Sequence, residues 1–373
     1  MTRIQRGWLM VLAGLPFAVF LNTNAPMWVC QYTWLGMGLI GLTGLWLAEG
    51  GHAPLISLPL GVWFVWAMGR LGWMLMRPIA DQLSISPVMW PVFHLTFAIL
   101  FLLVASATWT PEFLPILCRW IARSGVVVVG YSLLQWARLD QFYHPIDSTL
   151  PTIVGGVFGN PSLHGAHLSL LLPFFLLQTG WRWRSMSLVT LVLIFQTHSL
   201  AAWAATGIVL VWWTWQTERR AIIGLLVLGG IGLSYLLTHP ADLDPSGRFS
   251  SWPAFWTMFR QQPILGFWTG FVLQNSLQIT GGPLFNWRQV HNEYFQVLIE
   301  QGVLGAILLS WWLWETGQQM RRVSLSPLSV CFIGVLLAFA VNSLANFPAH
   351  LAVTASLGLT AYCGLRVLEH GAT

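Results

Sequence analysis

Apolar runs separated by short polar punctuation fill the chain. They lie near 8–21, 27–48, 55–76, 88–108, 116–137, 162–179, 186–197, 199–216, 221–237, 293–316, 327–346 and 350–366. Most approach the roughly 20 residues needed to cross a hydrocarbon core. The pattern therefore predicts an all-α integral membrane protein with about 12 transmembrane helices. The whole chain, 1–373, reads as a single polytopic membrane domain with no domain-sized soluble tail at either end.

Two stretches break the rhythm. Between Arg184 and Glu218 lie 33 residues, long for one span and short for two. Arg182/Arg184 and Arg219/Arg220 both favour the same side. A hairpin of two short helices, with its tip at Gln196-Thr197-His198-Ser199, satisfies both demands. A single long tilted helix is the alternative. Non-helical backbone at membrane depth persists only inside protein or beside water, so the tip is a candidate cavity wall. The second stretch, 238–290, is a large polar loop, and loops of that length are usually functional or disordered. Its Trp and Phe content predicts order. Ser251 before Trp252-Pro253 is a plausible N-cap. Phe249, Trp252, Phe255, Trp256 and Phe259 then recur at helical spacing and stop before Pro263. A short amphipathic helix on the membrane interface is expected.

Composition sharpens this reading. The chain is 56% hydrophobic and only 8% charged, with 24 Trp and 22 Phe. Soluble domains carry about 25% charged residues. A disordered chain, a collagen and an ordinary soluble enzyme are thereby excluded. All 17 basic residues are arginine. In a soluble protein the net charge of +5 would suggest nucleic acid. Here it reports topology, and no nucleic-acid partner is expected. With the N-terminus in the cytoplasm, alternation places eleven arginines inside: Arg3, Arg6, Arg119, Arg123, Arg182, Arg184, Arg219, Arg220, Arg321, Arg322 and Arg366. Six fall outside: Arg70, Arg77, Arg138, Arg248, Arg260 and Arg288. Both termini are therefore expected in the cytoplasm, and the 238–290 loop on the outer face. Arg3 and Arg6 before the first apolar run resemble a signal peptide. Asn22-Thr23-Asn24-Ala25-Pro26 is a poor cleavage site, which favours a retained span. Cys30, Cys118, Cys331 and Cys363 show no CxxC spacing and read as core or lipid-facing residues.

Three arginines of the outer loop oppose the topological bias: Arg248, Arg260 and Arg288. Arginine forks onto phosphate oxygens, and Arg248 precedes a helix N-terminus that favours an anion. Contact with lipid headgroups or with Asp242 and Asp244 would also explain them. The segment Gln289 to Gln296 holds His291, Asn292 and Glu293 where the loop enters the next span. His291 titrates where a general base must at neutral pH. Glu293 and Glu300 share a helix face, and acids beside a span normally meet a cavity or partner. A polar helix end with satisfied hydrogen bonds is the plainer reading. His164 and His167 lack an acidic third ligand nearby in sequence, so core histidines are expected rather than a metal site. Asn342, Asn346 and His350 form a polar stripe that either lines a cavity or bonds neighbouring helices.

HNEYFQVLIEQGVLG, from His291 to Gly305, resembles the signature of the bacterial O-antigen ligase and polymerase superfamily. SGRFSSWPAFWTMFRQQPILGFW, from Ser246 to Trp268, is similar to that family's outer-loop pattern of Gly-Arg, Trp and Pro-x-x-Gly. GGVFGNPSLHGAHLSLLLP, from Gly155 to Pro173, resembles its Gly-Asn-Pro segment before a span. These motifs cover roughly 160–310.

The resemblance implies an all-helical, GT-C-like inner-membrane glycosyltransferase with a periplasmic loop. It implies a glycan on undecaprenyl pyrophosphate as donor. The acceptor would be lipid A-core, another lipid-linked repeat or a protein hydroxyl. Neither a nucleotide sugar, a cofactor nor a metal is implied. Arg248 would hold the pyrophosphate, His291 would activate or orient the acceptor hydroxyl, and the lipid tail would lie between helices. Arg288, Arg260, His198, Asn292, Glu293 and Glu300 complete the expected substrate-binding set. One departure stands out. Where the family commonly has Ser-Arg at the hairpin tip, this chain reads Ser199-Leu200, leaving His198 or Arg288 to substitute. A rival class, a transporter or non-catalytic carrier-binding protein, would place charged groups near the midplane and show internal repeats. No convincing repeat is visible, and the arginines gather at the outer rim.

Overall fold

The computed structural model describes residues 1–18, 27–49, 54, 56–76, 85–140, 154–219, 248–267, 269, 271–272 and 290–371, excepting the side chains of 27–29, 71, 73–76, 85–93 and 248–250. Among these residues there are twelve α-helices and no strand. They are α1 (Arg3–Gly14), α2 (Met27–Glu49), α3 (Leu58–Met76), α4 (Ile85–Thr108), α5 (Phe113–Trp136) and α6 (Pro161–Leu177). There follow α7 (Trp181–Gln196), α8 (Leu200–Thr217), α9 (Arg248–Phe259), α10 (Glu293–Arg322), α11 (Pro327–Asn342) and α12 (Ala352–His370). The expected span near 221–237 lies outside the described residues, as do 238–247 and 273–289 of the outer loop.

Local signals set the helix starts. Asn160 accepts from Leu163 N–H at 3.2 Å, and Pro161 fills the first helical position of α6, where no N–H is needed. Ser326 and Pro327 repeat the device at α11. The hairpin expected between Arg184 and Glu218 is present. α7 and α8 meet at a tip where Ser199 caps α8, accepting from Ala202 N–H at 3.4 Å. His198 turns the chain with φ of 51°.

By length and composition, α5 and α10 can each cross a membrane. His94–Thr108, α6 and α11 are shorter apolar helices. Large apolar side chains face both ways. Trp8, Phe101, Phe174, Phe175 and Phe332 fill the core, while Met37, Leu47, Val65, Leu188 and Trp314 point outward. An exterior this apolar needs a non-aqueous partner. The four cysteines are buried.

The two ends of the bundle differ. At one end, Arg322 meets Glu369 at 2.8 Å, and Arg366 lies 3.8 Å from Glu315 and 3.7 Å from Glu369. The other end gathers the start of α10, the end of α11 and the start of α12. There Glu293 N–H donates to Ser343 O at 2.9 Å, and Tyr294 O–H donates to Ala340 O at 3.0 Å.

α9 differs in detail from the expectation. It begins at Arg248, so Ser251 lies inside the helix rather than capping it, and Pro253 is also internal. Its apolar side does not lie free. Phe255 is fully buried in a small second core with Met258, Phe259, Phe267, Val290 and Ile299.

α10 is not a continuous helix. At Gly302 the backbone leaves helical geometry, with φ of 68° and ψ of −173°. The Pro263–Phe267 segment docks into this break. Val303 N–H donates to Pro263 O at 2.8 Å, Leu304 N–H to Ile264 O at 3.3 Å, and Phe267 N–H to Ile299 O at 3.1 Å. Only glycine fits on either side. A methyl on Gly266 would sit 2.3 Å from Gly302 N, and one on Gly302 would sit 2.2 Å from Ile264 O. Arg70 of α3 holds the segment from behind, donating to Gly266 O at 2.7 Å and also to Phe267 O. An outer arginine that topology did not favour is thus explained by two backbone carbonyls.

Candidate active site at the start of α10

The His291–Glu293 segment builds the site. Asn292 caps α10 and accepts from Phe295 N–H at 2.9 Å. His291 stands just before it with φ of 57°, a conformation uncommon outside glycine. Its ring meets Phe347 edge-on at 5.0 Å. Trp252 of α9 secures the approach by donating from its indole N–H to Val290 O at 3.1 Å.

Inward from the cap, Glu293, Gln296 and Glu300 fall on one face of α10, as their three- and four-residue spacings require. All three are buried. Gln296 donates to Glu300 Oε1 at 3.3 Å and accepts from Val290 N–H at 3.4 Å. Val272 N–H donates to the same Glu300 oxygen at 3.2 Å. Glu293 faces the turn Pro348–His350. Ala349 N–H donates to its Oε1 at 2.9 Å, and His350 Nδ1 lies 3.1 Å from the carboxylate. Burial would lower the His350 pKa. The charge and hydrogen bond of Glu293, with Glu300 behind it, outweigh that and leave it raised above the ordinary histidine value.

These groups open into a cavity of about 400 Å³, within the usual range for a ligand site. Glu293, Gln296, Glu300, Gln301, His94 and His350 form its polar end. Its walls run down α3, α4, α10, α11 and α12 past Leu309, Leu336 and Leu359 to Met320. Beyond His350 lies His94, their rings 5.2 Å apart, and beyond His94 lies Tyr32, whose hydroxyl is 3.4 Å from His94 Nδ1.

The sequence-predicted residues are distributed as follows. His291, Asn292, Glu293 and Glu300 come together at the start of α10. Glu293 and Glu300 line the cavity, whereas His291 is not among its described lining residues. Arg260 is exposed just past the end of α9. His198 is exposed at the hairpin tip, 6.5 Å from the Trp203 ring, and that tip packs on α6 around Gly165. Arg288 lies outside the described residues, and so does the side chain of Arg248, the first residue of α9. Of the polar stripe, Asn342 bonds a neighbouring helix, donating to Ser169 Oγ at 2.9 Å, and His350 lines the cavity. His164 and His167 are fully buried core residues, with His164 Nε2 2.8 Å from Ser132 Oγ. Sequence reasoning misses His94, Gln296 and Arg70. For His94, a lone histidine in the apolar run 88–108 is the available signal.

The model of the family described as O-antigen ligase matches residues 185–310, which span the hairpin, α9 and the first half of α10. The match supports O-antigen ligase or polymerase activity in general. No curated protein matches the chain.

Proposed function

We propose, for a chain whose residues 185–310 match the O-antigen ligase family, that it is an inner-membrane glycosyltransferase. It moves a glycan from undecaprenyl pyrophosphate to an acceptor hydroxyl at the periplasmic face, with lipid A-core as the acceptor. The observation that carries this reading is the junction of the matched segment with the cavity. The residues after His291 supply the carboxylates at the polar end of a long apolar slot. The outward apolar side chains support a membrane-embedded bundle, read as about 12 spans, and the arginine bias supports both termini in the cytoplasm. The Arg322–Glu369 end then faces the cytoplasm and the His350–Glu293 end the periplasm.

The reaction is an inverting displacement at the anomeric carbon. Arg248, with Arg260, Arg288 and His198, stabilises the charge that builds on the departing diphosphate. His291, with Asn292 beside it, activates or orients the acceptor hydroxyl. Reconstitution with an undecaprenyl-pyrophosphate glycan tests this. Glycan transfer to lipid A-core, abolished in Arg248→Ala and His291→Ala, is the expected result. Transfer to a second repeat unit or to a pilin instead would assign polymerase or protein glycosylation. No transfer to any of the three by folded wild type would overturn the reading.

A further inference from the structure

The polar end of the cavity has a charge that the diphosphate reading does not use. Among the described residues lining it there is no arginine; the charged groups are the Glu293 and Glu300 carboxylates and the titratable His94 and His350. A diphosphate placed there would meet two carboxylates of its own sign. Sugar hydroxyls would not, because they both donate and accept. Carboxylates and amides on one helix face are the groups that bind them. Gln301, 3% exposed and also lining the cavity, has a carbonyl oxygen with no hydrogen-bond partner among the described residues.

From this geometry we propose that the polar end is the subsite for the acceptor sugar that bears the reacting hydroxyl, and that His350 accepts the proton of that hydroxyl. The proposal rests on the transferase reading above and divides its labour. The loop arginines hold the diphosphate, and the carboxylate-lined cavity holds the acceptor. Glu293 is the positioning residue: it receives Nδ1–H of His350, which leaves the Nε2 lone pair to act. The acceptor O–H gives its proton to His350 Nε2 as its oxygen bonds to the anomeric carbon. The bond from that carbon to the diphosphate oxygen breaks, and the electron pair leaves with the diphosphate. His291, set against Phe347, keeps the orienting role. The titratable groups facing His350 are Glu293 and Glu300 of α10 and His94 of α4, with Tyr32 of α2 behind His94 and Tyr294 beside Glu293.

Two measurements test it, one of them independent of turnover. In bilayer discs, the His350 imidazole resonance of ¹⁵N-histidine-labelled protein, assigned with His350→Gln, is followed as dodecyl maltoside or dodecyl phosphate is added below micellar concentrations. The maltoside should shift the resonance at a concentration at least about tenfold lower than the phosphate. An equal or stronger response to the phosphate, or no response to either, overturns the subsite. In the transfer assay, wild type should lose rate on the acid side, with its inflection above the ordinary histidine value of about 6.5. His350→Gln should remove that limb and lower kcat about 10²- to 10⁴-fold with little change in KM, the range of a lost general base. A His350→Gln enzyme with the wild-type rate and pH profile refutes the proton-accepting role and leaves the transferase reading standing. If wild type transfers nothing, that reading falls, and the resonance titration still decides the subsite.

Discussion

Replacing Gly302 by alanine tests the join between the outer loop and α10. The backbone there has φ of 68° and ψ of −173°, a region that only glycine occupies at ease. Holding an alanine in it costs about 1–3 kcal/mol. The added methyl would also stand 2.2 Å from Ile264 O and 2.4 Å from Gly266 N. Both are backbone atoms, so no rotamer change relieves the overlap, and the 263–267 segment must lift. Lifting it forfeits the three cross-bonds from Val303, Leu304 and Phe267, each contributing about 0.5–1.5 kcal/mol. The expected loss is therefore roughly 1–4.5 kcal/mol, as local strain or as lost pairing. Gly317, in the same helix and with nothing within 4 Å of where an alanine methyl would sit, is the control. Gly317→Ala should leave stability unchanged or raise it by up to about 1 kcal/mol. Reversible unfolding in mixed micelles by SDS titration reads both. Gly302→Ala within about 0.5 kcal/mol of wild type, below the weakest strain considered, would refute the argument.

Other outcomes follow from the same geometry. Arg70→Met removes the donor to Gly266 O and Phe267 O and should lower stability by about 1.5–3 kcal/mol, with faster proteolysis after Arg260 as the local readout. Asn292→Ala, which deletes the cap on Phe295 N–H, should cost about 1 kcal/mol in the same titration. The His350–Glu293 contact should make stability pH-dependent. Because the folded-state pKa of His350 is raised, its stabilisation is complete below about pH 6.5 and disappears as pH rises through the raised value. The gap in unfolding temperature between wild type and His350→Gln should accordingly narrow from about pH 6 to about pH 9, and a gap that widens would reverse the sign.

Much of the architecture is legible because it is written locally. The α7–α8 hairpin follows from arginine pairs bracketing a stretch too short for two full spans. The shared face of Glu293 and Glu300 follows from helical periodicity. The start of α6 follows from Asn160-Pro161. What stays hidden are contacts between distant positions. Gly302 reads as an ordinary tolerated glycine until Pro263–Phe267 is laid against it, and Arg70 reads as a topological exception until its carbonyl partners appear. His350 belongs to a visible polar stripe, yet its partner Glu293 stands 57 positions away and cannot be chosen from spacing. The start of α9 also misleads: Ser251 is a good local cap, yet the helix already runs from Arg248.

The lock between Gly266 and Gly302 bears on how chains of this kind could be re-engineered. Exchanging outer loops between relatives treats the loop as a detachable cartridge. In this protein the cartridge includes a piece of the receiving helix, because residues 299–304 supply the partners of three hydrogen bonds made by Pro263, Ile264 and Phe267. A graft that carries 248–290 alone would bring a tongue with no slot, whereas one extended through residue 305 would carry its own socket.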